Sequence, residues 1–223
     1  GPAGITLCNE LLSSGKKICL IESGEIHREK TSSKLKKVIS TGEIAIKSKS
    51  RERVFGGTSS TWAGLSAPLD PIDFKKWPIS YEEMIPHYIK LSAYGFAPFE
   101  EFSVEHFDSI KKMGDFVFNP VSLTEKIFIA SDPAVHFGKR FHSLLEHKNV
   151  DLFLNSTVTR FNLGEIFEEK KKVHSVSVIS PDGTHTEICA DIFVVCAGGI
   201  ESTRLLLLPD ITHPHGIGNE FGQ

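Results

Sequence analysis

The opening glycines constrain this chain more than any other feature. Gly1-Pro2-Ala3-Gly4 matches the last four positions of a G-x-G-x-x-G pattern. A bare G-x-x-G is a weak signal, but its neighbours strengthen it. Residues 4–14 place Ile5, Cys8, Leu11 and Leu12 at the spacing of one helix face. Gly15 follows as a helix stop. Lys17–Glu22 then reads as a buried strand with an acidic end. Helix then strand is the second half of a βαβ unit. In such a unit the glycines permit a tight turn and close approach of backbone to a pyrophosphate, and the helix N-terminus aims its amides there. Glu22 stands 21 residues after Gly1, where a carboxylate can accept both hydroxyls of an adenosine ribose. The competing reading is a coincidental helix cap with a surface glutamate.

Composition narrows the class. At 40% hydrophobic and 24% charged over 223 residues, the chain reads as globular, with room for one large domain or two small ones. The balance of 25 basic against 28 acidic residues gives −3, so no net basic field asks for nucleic acid. The longest apolar runs, such as Ile192–Ala197 and Leu205–Leu208, fall far short of the roughly 20 residues that cross a bilayer. Cys8, Cys19, Cys189 and Cys196 sit in apolar sequence without C-x-x-C spacing. They read as buried reduced thiols, which points to a reducing compartment and a cytoplasmic location. Asn155-Ser156-Thr157 matches a glycosylation triplet but adjoins a buried strand, and is read as chance. His213-Pro214-His215 has no third ligand in sequence and is read as a loop, not a metal site.

Residues 25–53 hold nine Lys/Arg against four Glu. This is either a solvated insertion or a rim that attracts a phosphate or an acidic partner. Residues 54–79 form a loop dense in Gly, Ser, Thr and Pro, with two Trp. Ser80-Tyr81-Glu82-Glu83 is a capping box that starts a helix through Met84, Tyr88 and Leu91. Residues 99–137 are Phe-rich and resist assignment, and 138–147 suggest a helix. Strands are expected at Val150–Leu154, Thr157–Leu163, Val173–Ser180 and Thr184–Ala190, with Glu165–Lys172 as a solvated hairpin tip. Asp191–Cys196 reads as a fully apolar strand that runs through Ala197-Gly198-Gly199 into a helix.

Two more segments suit ligand chemistry. In Arg53-Val54-Phe55-Gly56-Gly57-Thr58-Ser59-Ser60-Thr61-Trp62-Ala63-Gly64, paired glycines allow positive φ and close approach, and Trp62 offers a flat surface to a ring system. An ordinary Gly/Ser turn is the alternative. At Ala197-Gly198-Gly199 a helix N-terminus again faces open backbone. Glu201 and Arg204 beyond it read as a helix-surface pair.

Taken together, these segments resemble the glucose–methanol–choline (GMC) oxidoreductases. Gly1–Glu22 resembles that family's dinucleotide fingerprint, and Gly56-Gly57-Thr58-Ser59-Ser60-Thr61-Trp62 resembles the loop that runs along its flavin. Pro68-Leu69-Asp70, Asp73-Phe74 and Trp77–Glu83 follow as in its sugar and polyol dehydrogenase branch, and Ala197–Leu206 resembles its second FAD signature. Gly216-Ile217-Gly218-Asn219 and Gly222 resemble the segment after that. The resemblance implies FAD, held by Gly1, Gly4, Glu22, Gly56, Gly57, Thr58, Ser59, Thr61, Trp62, Ala63, Ala197 and Gly198, with Val158 at the adenine. It implies oxidation of an alcohol, sugar or polyol CH–OH, with hydride passing to flavin N5 and a histidine base taking the proton. That base belongs to the family's C-terminal part, after Gln223, so no catalytic residue is carried over. One branch links a loop histidine covalently to its flavin. The matching position here is Thr61, which has no nitrogen for that bond, so the FAD is expected to be non-covalent.

The fold expectation is α/β: a Rossmann-like FAD-binding fold with a βαβ unit and an added antiparallel β-meander, incomplete because the first strand is missing. Residues 1–70 and 138–223 form the two FAD-binding parts, and 71–137 an inserted segment of the substrate or cap region. A chain of this extent is expected to be truncated at both ends, marginally folded, poor at binding FAD and inactive alone. The partner is a small-molecule alcohol or sugar, with the electron acceptor open. A NAD-dependent dehydrogenase, which needs neither the Gly56–Trp62 loop nor the Ala197-Gly198-Gly199 signature, is one alternative. A catalytically inactive nucleotide-binding fragment or pseudoenzyme is the other.

Overall fold

A computed structural model describes residues 1–39, 41–110, 123–167 and 170–208. In chain order the elements begin with α1 (Pro2–Leu11), β1 (Ile18–Ile21), α2 (Lys30–Lys34), β2 (Leu65–Ser66) and α3 (Tyr81–Lys90). There follow α4 (Val104–Ile110), β3 (Ile129–Ala130), α5 (Phe137–Arg140) and β4 (Val150–Phe153). The chain continues with β5 (Thr157–Phe167), β6 (Lys170–Ile179), β7 (His185–Cys189) and α6 (Gly198–Leu207). It divides into two compact units, one of residues 1–60 with 136–223 and one of residues 61–135.

The first unit is mixed α/β. Its parallel pair joins β1 to β4, from Ile18 opposite Val150 to Ile21 opposite Phe153. Parallel pairing needs a long crossover, and here everything between β1 and β4 serves as one. α1 buries Ile5 and Cys8, the two inward positions of its apolar stripe. Its expected stop is observed: Gly15 takes φ 73° after a 3-10 turn at Leu12–Ser14. The antiparallel meander β5–β6–β7 covers a core of Phe161, Val176, Val178 and Leu205 of α6, against which Ile21, Val158 and Phe193 pack. Its first two strands stay paired out to Phe167 opposite Lys170, so ladder reaches into the Glu165–Lys172 stretch read as a hairpin tip.

The second unit holds α3, started by the expected capping box: the Glu83 amide donates to Ser80 Oγ at 3.1 Å, and Glu83 Oε2 accepts from the Ser80 amide at 2.7 Å. Phe74 and Tyr94 are buried there. Tyr88 stacks on Phe99 with ring centroids 5.6 Å apart.

Three expectations are corrected. Ile192–Cys196 is extended but belongs to no ladder, because no strand among the described residues pairs with it; Ile192 is 75% and Val194 60% exposed. The 138–147 helix is a single α-turn, α5, followed by a 3-10 turn at His142–Glu146. Of the four cysteines Cys8 is buried, Cys196 is half-buried, and Cys19 and Cys189 are exposed on strands whose other face carries the burial. Residues 213–222, which carry the His-Pro-His and Gly-Ile-Gly-Asn readings, lie outside the described residues. Among the described residues, no helix is long and apolar enough to cross a membrane, and no group of three or more His, Cys, Asp or Glu is placed to hold a metal ion.

Candidate functional site

The site is built around the N-terminus of α1. Gly1 is the N-cap and Pro2 the first helical residue, a position where its missing amide is harmless. Gly57 lies against this end with φ 55°, and a Cβ there would sit 2.8 Å from Gly1 Cα. Gly56, at φ 99°, faces Gly138, where a Cβ would sit 2.6 Å from the amide nitrogen. Only glycine satisfies both the left-handed φ and the backbone contact. The turn after the pair is tied inward by side chains. Ser59 Oγ donates to the Gly56 carbonyl at 2.7 Å and accepts the Phe137 amide at 3.1 Å. The Ser59 carbonyl accepts from His136 Nδ1 at 2.6 Å, so that nitrogen carries the proton. Ser60 Oγ donates to the Gly57 carbonyl at 2.8 Å. The Ser59 hydroxyl is thus committed to the protein, while Thr58 stands exposed.

Glu22 leaves the end of β1. Its Oε1 accepts the Gly24 amide at 2.9 Å and the Ser23 hydroxyl at 3.4 Å. Burial pushes its carboxyl above the ordinary carboxylate value, against the downward pull of those bonds and of Arg53. A half-buried carboxylate at a strand end suits a diol. The next crossing brings Val158 to the same end: the Ser156 amide donates to the Glu22 carbonyl at 3.0 Å and the Asn155 amide to the Gly24 carbonyl at 3.0 Å. Asn155 makes that turn at φ 50°, a conformation Asn tolerates. Val158, opposite Val178, is half-buried against the meander core.

The third segment is the start of α6. Ala197 is an N-cap without a side-chain cap bond, and Gly198 has φ 79°. Neither Gly198 nor Gly199 would bring a Cβ within 4 Å of another atom, so the backbone borders open space there. Gly4 of α1 approaches this strand-to-helix junction, since its Cβ would lie 3.3 Å from Cys196 Cβ. Gly1, Gly4, Glu22, Gly56, Gly57, Ala197 and Gly198 therefore belong to one packed set of backbone segments in the first unit.

Thr61, Trp62 and Ala63 belong to the second unit. Thr61 and Ala63 are exposed. Trp62 is anchored by its own indole, which donates to the Val135 carbonyl at 2.9 Å and meets Phe96 edge-on at 5.9 Å between centroids.

The chief feature that the sequence reading missed is a charge cluster beneath these segments. Glu201, in the first turn of α6, is ringed by Arg51, Arg53 at 3.3 Å and Arg204 at 2.7 Å. Arg53 also donates to Ser23 Oγ at 2.9 Å, and Arg51 to the Lys36 carbonyl at 2.8 Å. Burial alone would push the Glu201 carboxyl up, but the Arg204 hydrogen bond and the arginine charges outweigh it and hold it below its ordinary value. Glu201–Arg204 is thus one edge of a network, not an isolated surface pair. The signal was present in Arg51-Glu52-Arg53: alternate residues of an extended segment share a face. Glu52, on the opposite face, meets Lys36 at 2.9 Å and Arg28 at 3.8 Å. The basic segment is exposed over most of 27–50 but turns inward at its end.

No protein-family model matches the chain, and no curated protein matches it. Among solved structures, eight chains match. One is the pyridoxine 4-oxidase from Mesorbium loti, 20% identical and with a TM-score of 0.55 over 93% of this chain and 50% of that one. The chain therefore spans half the length of that structure. The likeness is one of fold.

Proposed function

We propose that this chain is the FAD-binding portion of a GMC-type flavin-dependent oxidoreductase acting on the CH–OH group of an alcohol, sugar or polyol. The observation that carries the reading is the packing of Gly57 on Gly1 at the N-terminus of α1, with Glu22 at the end of the adjoining strand. A backbone-lined helix start beside a half-buried carboxylate fits the diphosphate and ribose of a dinucleotide. Sharing a fold with a solved oxidase supports the same reading. The glycines at 1, 4, 56 and 57 and the start of α6 would bring main chain close to the diphosphate, Glu22 would accept the ribose hydroxyls, and Val158 would border the adenine. Thr58, Thr61, Trp62 and Ala63 would line the ring, and Ser59 would shape that loop from within. The bound flavin would accept a hydride from the substrate carbon. Thr61 offers no nucleophilic nitrogen, so the flavin would be held without a covalent bond. The proton-accepting base is not assigned within this chain. Residues 71–137 would contribute to the substrate or cap region.

Titration of the chain with FAD, followed by flavin fluorescence, tests the reading. Weak but saturable binding is expected, with affinity lost further in Glu22→Gln, and yellow colour released to the supernatant on acid precipitation. A chain that ignores FAD but binds NAD would point to a dehydrogenase instead. Anaerobic bleaching of the flavin absorbance by a panel of sugars and polyols, in the complete protein, tests the reaction class.

A further inference from the structure

The cluster around Glu201 touches none of the proposed cofactor contacts, yet it joins the segments that bear them. Arg53 uses one fork nitrogen on Ser23 Oγ, next to Glu22, and the other on Glu201 Oε1 in α6. Its own backbone is locked to the first of these segments, because Gly24 packs on the Arg53 carbonyl, where a Cβ would sit 2.1 Å from the oxygen. The Phe55 amide donates to the Glu25 carbonyl at 2.8 Å, and two residues on, the Gly57 amide donates to the Val54 carbonyl at 2.7 Å. Arg51 binds the same Glu201 oxygen from two residues earlier in the chain.

As a stabiliser this arrangement is poor. Three guanidinium groups share one carboxylate, the side chains of Arg51 and Arg53 are each 12% exposed, and the Nε–H of each is buried with no partner among the described residues. Buried charge that is incompletely paired tends to cost as much as it returns. What a planar fork does well is fix direction.

We propose that Glu201, through Arg51 and Arg53, is a positioning residue for the dinucleotide: it sets the segments at 22–25, 53–57 and 197–201 in register, so that three separate backbones present one binding surface. This rests on the FAD reading above.

The test is FAD affinity, measured on the full chain well below its melting transition, in Glu201→Gln and Arg53→Lys. The first removes the charge and keeps the shape. The second keeps the charge and removes the fork, and it decides the matter if Glu201→Gln does not fold. Both are expected to weaken FAD binding by about tenfold or more, and Glu201→Gln is expected to speed amide exchange at Phe55 and Gly57 together. Variants that melt earlier but bind FAD as tightly as the wild type would show a cluster that only holds the fold, and would overturn the proposal. The two readings fail separately: a wild-type chain that does not bind FAD overturns both. A wild type that binds, a Glu22→Gln that does not, and unaffected Glu201→Gln and Arg53→Lys overturn this one alone.

Discussion

Two glutamates in the first unit are pushed in opposite directions, and their roles follow from that. Burial raises the Glu22 carboxyl, so the folded chain holds that proton more tightly than the unfolded one. Its contribution to stability is therefore complete below the unfolded value and is lost as pH rises through the folded one, so that at neutral pH the ionised form is a net cost. Glu22→Gln should raise the melting temperature of the cofactor-free chain by about 2–4 °C. Losing two charge-assisted acceptors should weaken FAD by about 10- to 100-fold. A variant that lost stability as well would show that Glu22 supports the fold instead of waiting for a ligand. Glu201 has the opposite sign. Arg204, Arg53 and Arg51 hold its carboxyl low despite burial, so its contribution is complete above the unfolded value and disappears as pH falls through the folded one. Thermal melts below the ordinary carboxylate range should show a small loss in wild type that Glu201→Gln lacks; equal slopes would place the acid sensitivity elsewhere.

At the level of elements, backbone contact sets the tolerance to change. Gly56→Ala puts a methyl where Gly138 nitrogen lies 2.6 Å away and forces a φ of 99° on a residue with a side chain. Strain and overlap together should cost about 2–4 kcal/mol, read as a drop of about 5–10 °C in melting temperature. A smaller drop would mean that the α5 turn yields. Ile192–Cys196 makes the converse case. Its amides have no ladder partner among the described residues, so they should exchange within seconds in heavy water, while those of β6, paired on both sides by β5 and β7, stay protected. Protection at 192–196 would reveal a strand partner in solution. These two elements also mark where sequence was legible. Period, caps and turn residues placed α1, β1, the meander, the α3 capping box and α6 within a few residues, because each is decided locally. The Ile192–Cys196 run was misread because apolar content reports a wish for burial, while a strand also needs a neighbour. The 138–147 stretch was misread as one helix because the apolar spacing of Phe141, Leu144 and Leu145 does not tell a continuous α-helix from the single α-turn and 3-10 turn that are found there.

On the scale of the whole molecule, the candidate contacts do not distribute evenly. Glycines 1, 4, 56 and 57, Glu22, Val158, Ala197 and Gly198 all fall in the unit of residues 1–60 with 136–223, while Thr61, Trp62 and Ala63 fall in that of residues 61–135. The glycine positions were legible from sequence because positive φ and close approach leave a residue-type signature. The arginine cluster that joins them was legible only in half: the alternation Arg51-Glu52-Arg53 puts two arginines on one face, but no spacing rule ties that face to Glu201, about 150 residues on. A nucleotide without the ring tests the first unit by itself. ADP carries the adenosine and diphosphate without the ring, so everything it touches should lie in the first unit. Bound at a hundred times its dissociation constant, it should stabilise that unit by about 2.7 kcal/mol. In hydrogen exchange this slows amides at 1–5, 22–25, 54–57 and 198–201. Exchange in α3 and at Trp62 should not respond to ADP at all. Protection spread through α3 by ADP alone would place the nucleotide elsewhere, and would remove the ground for reading Gly1 and Gly57 as its cradle.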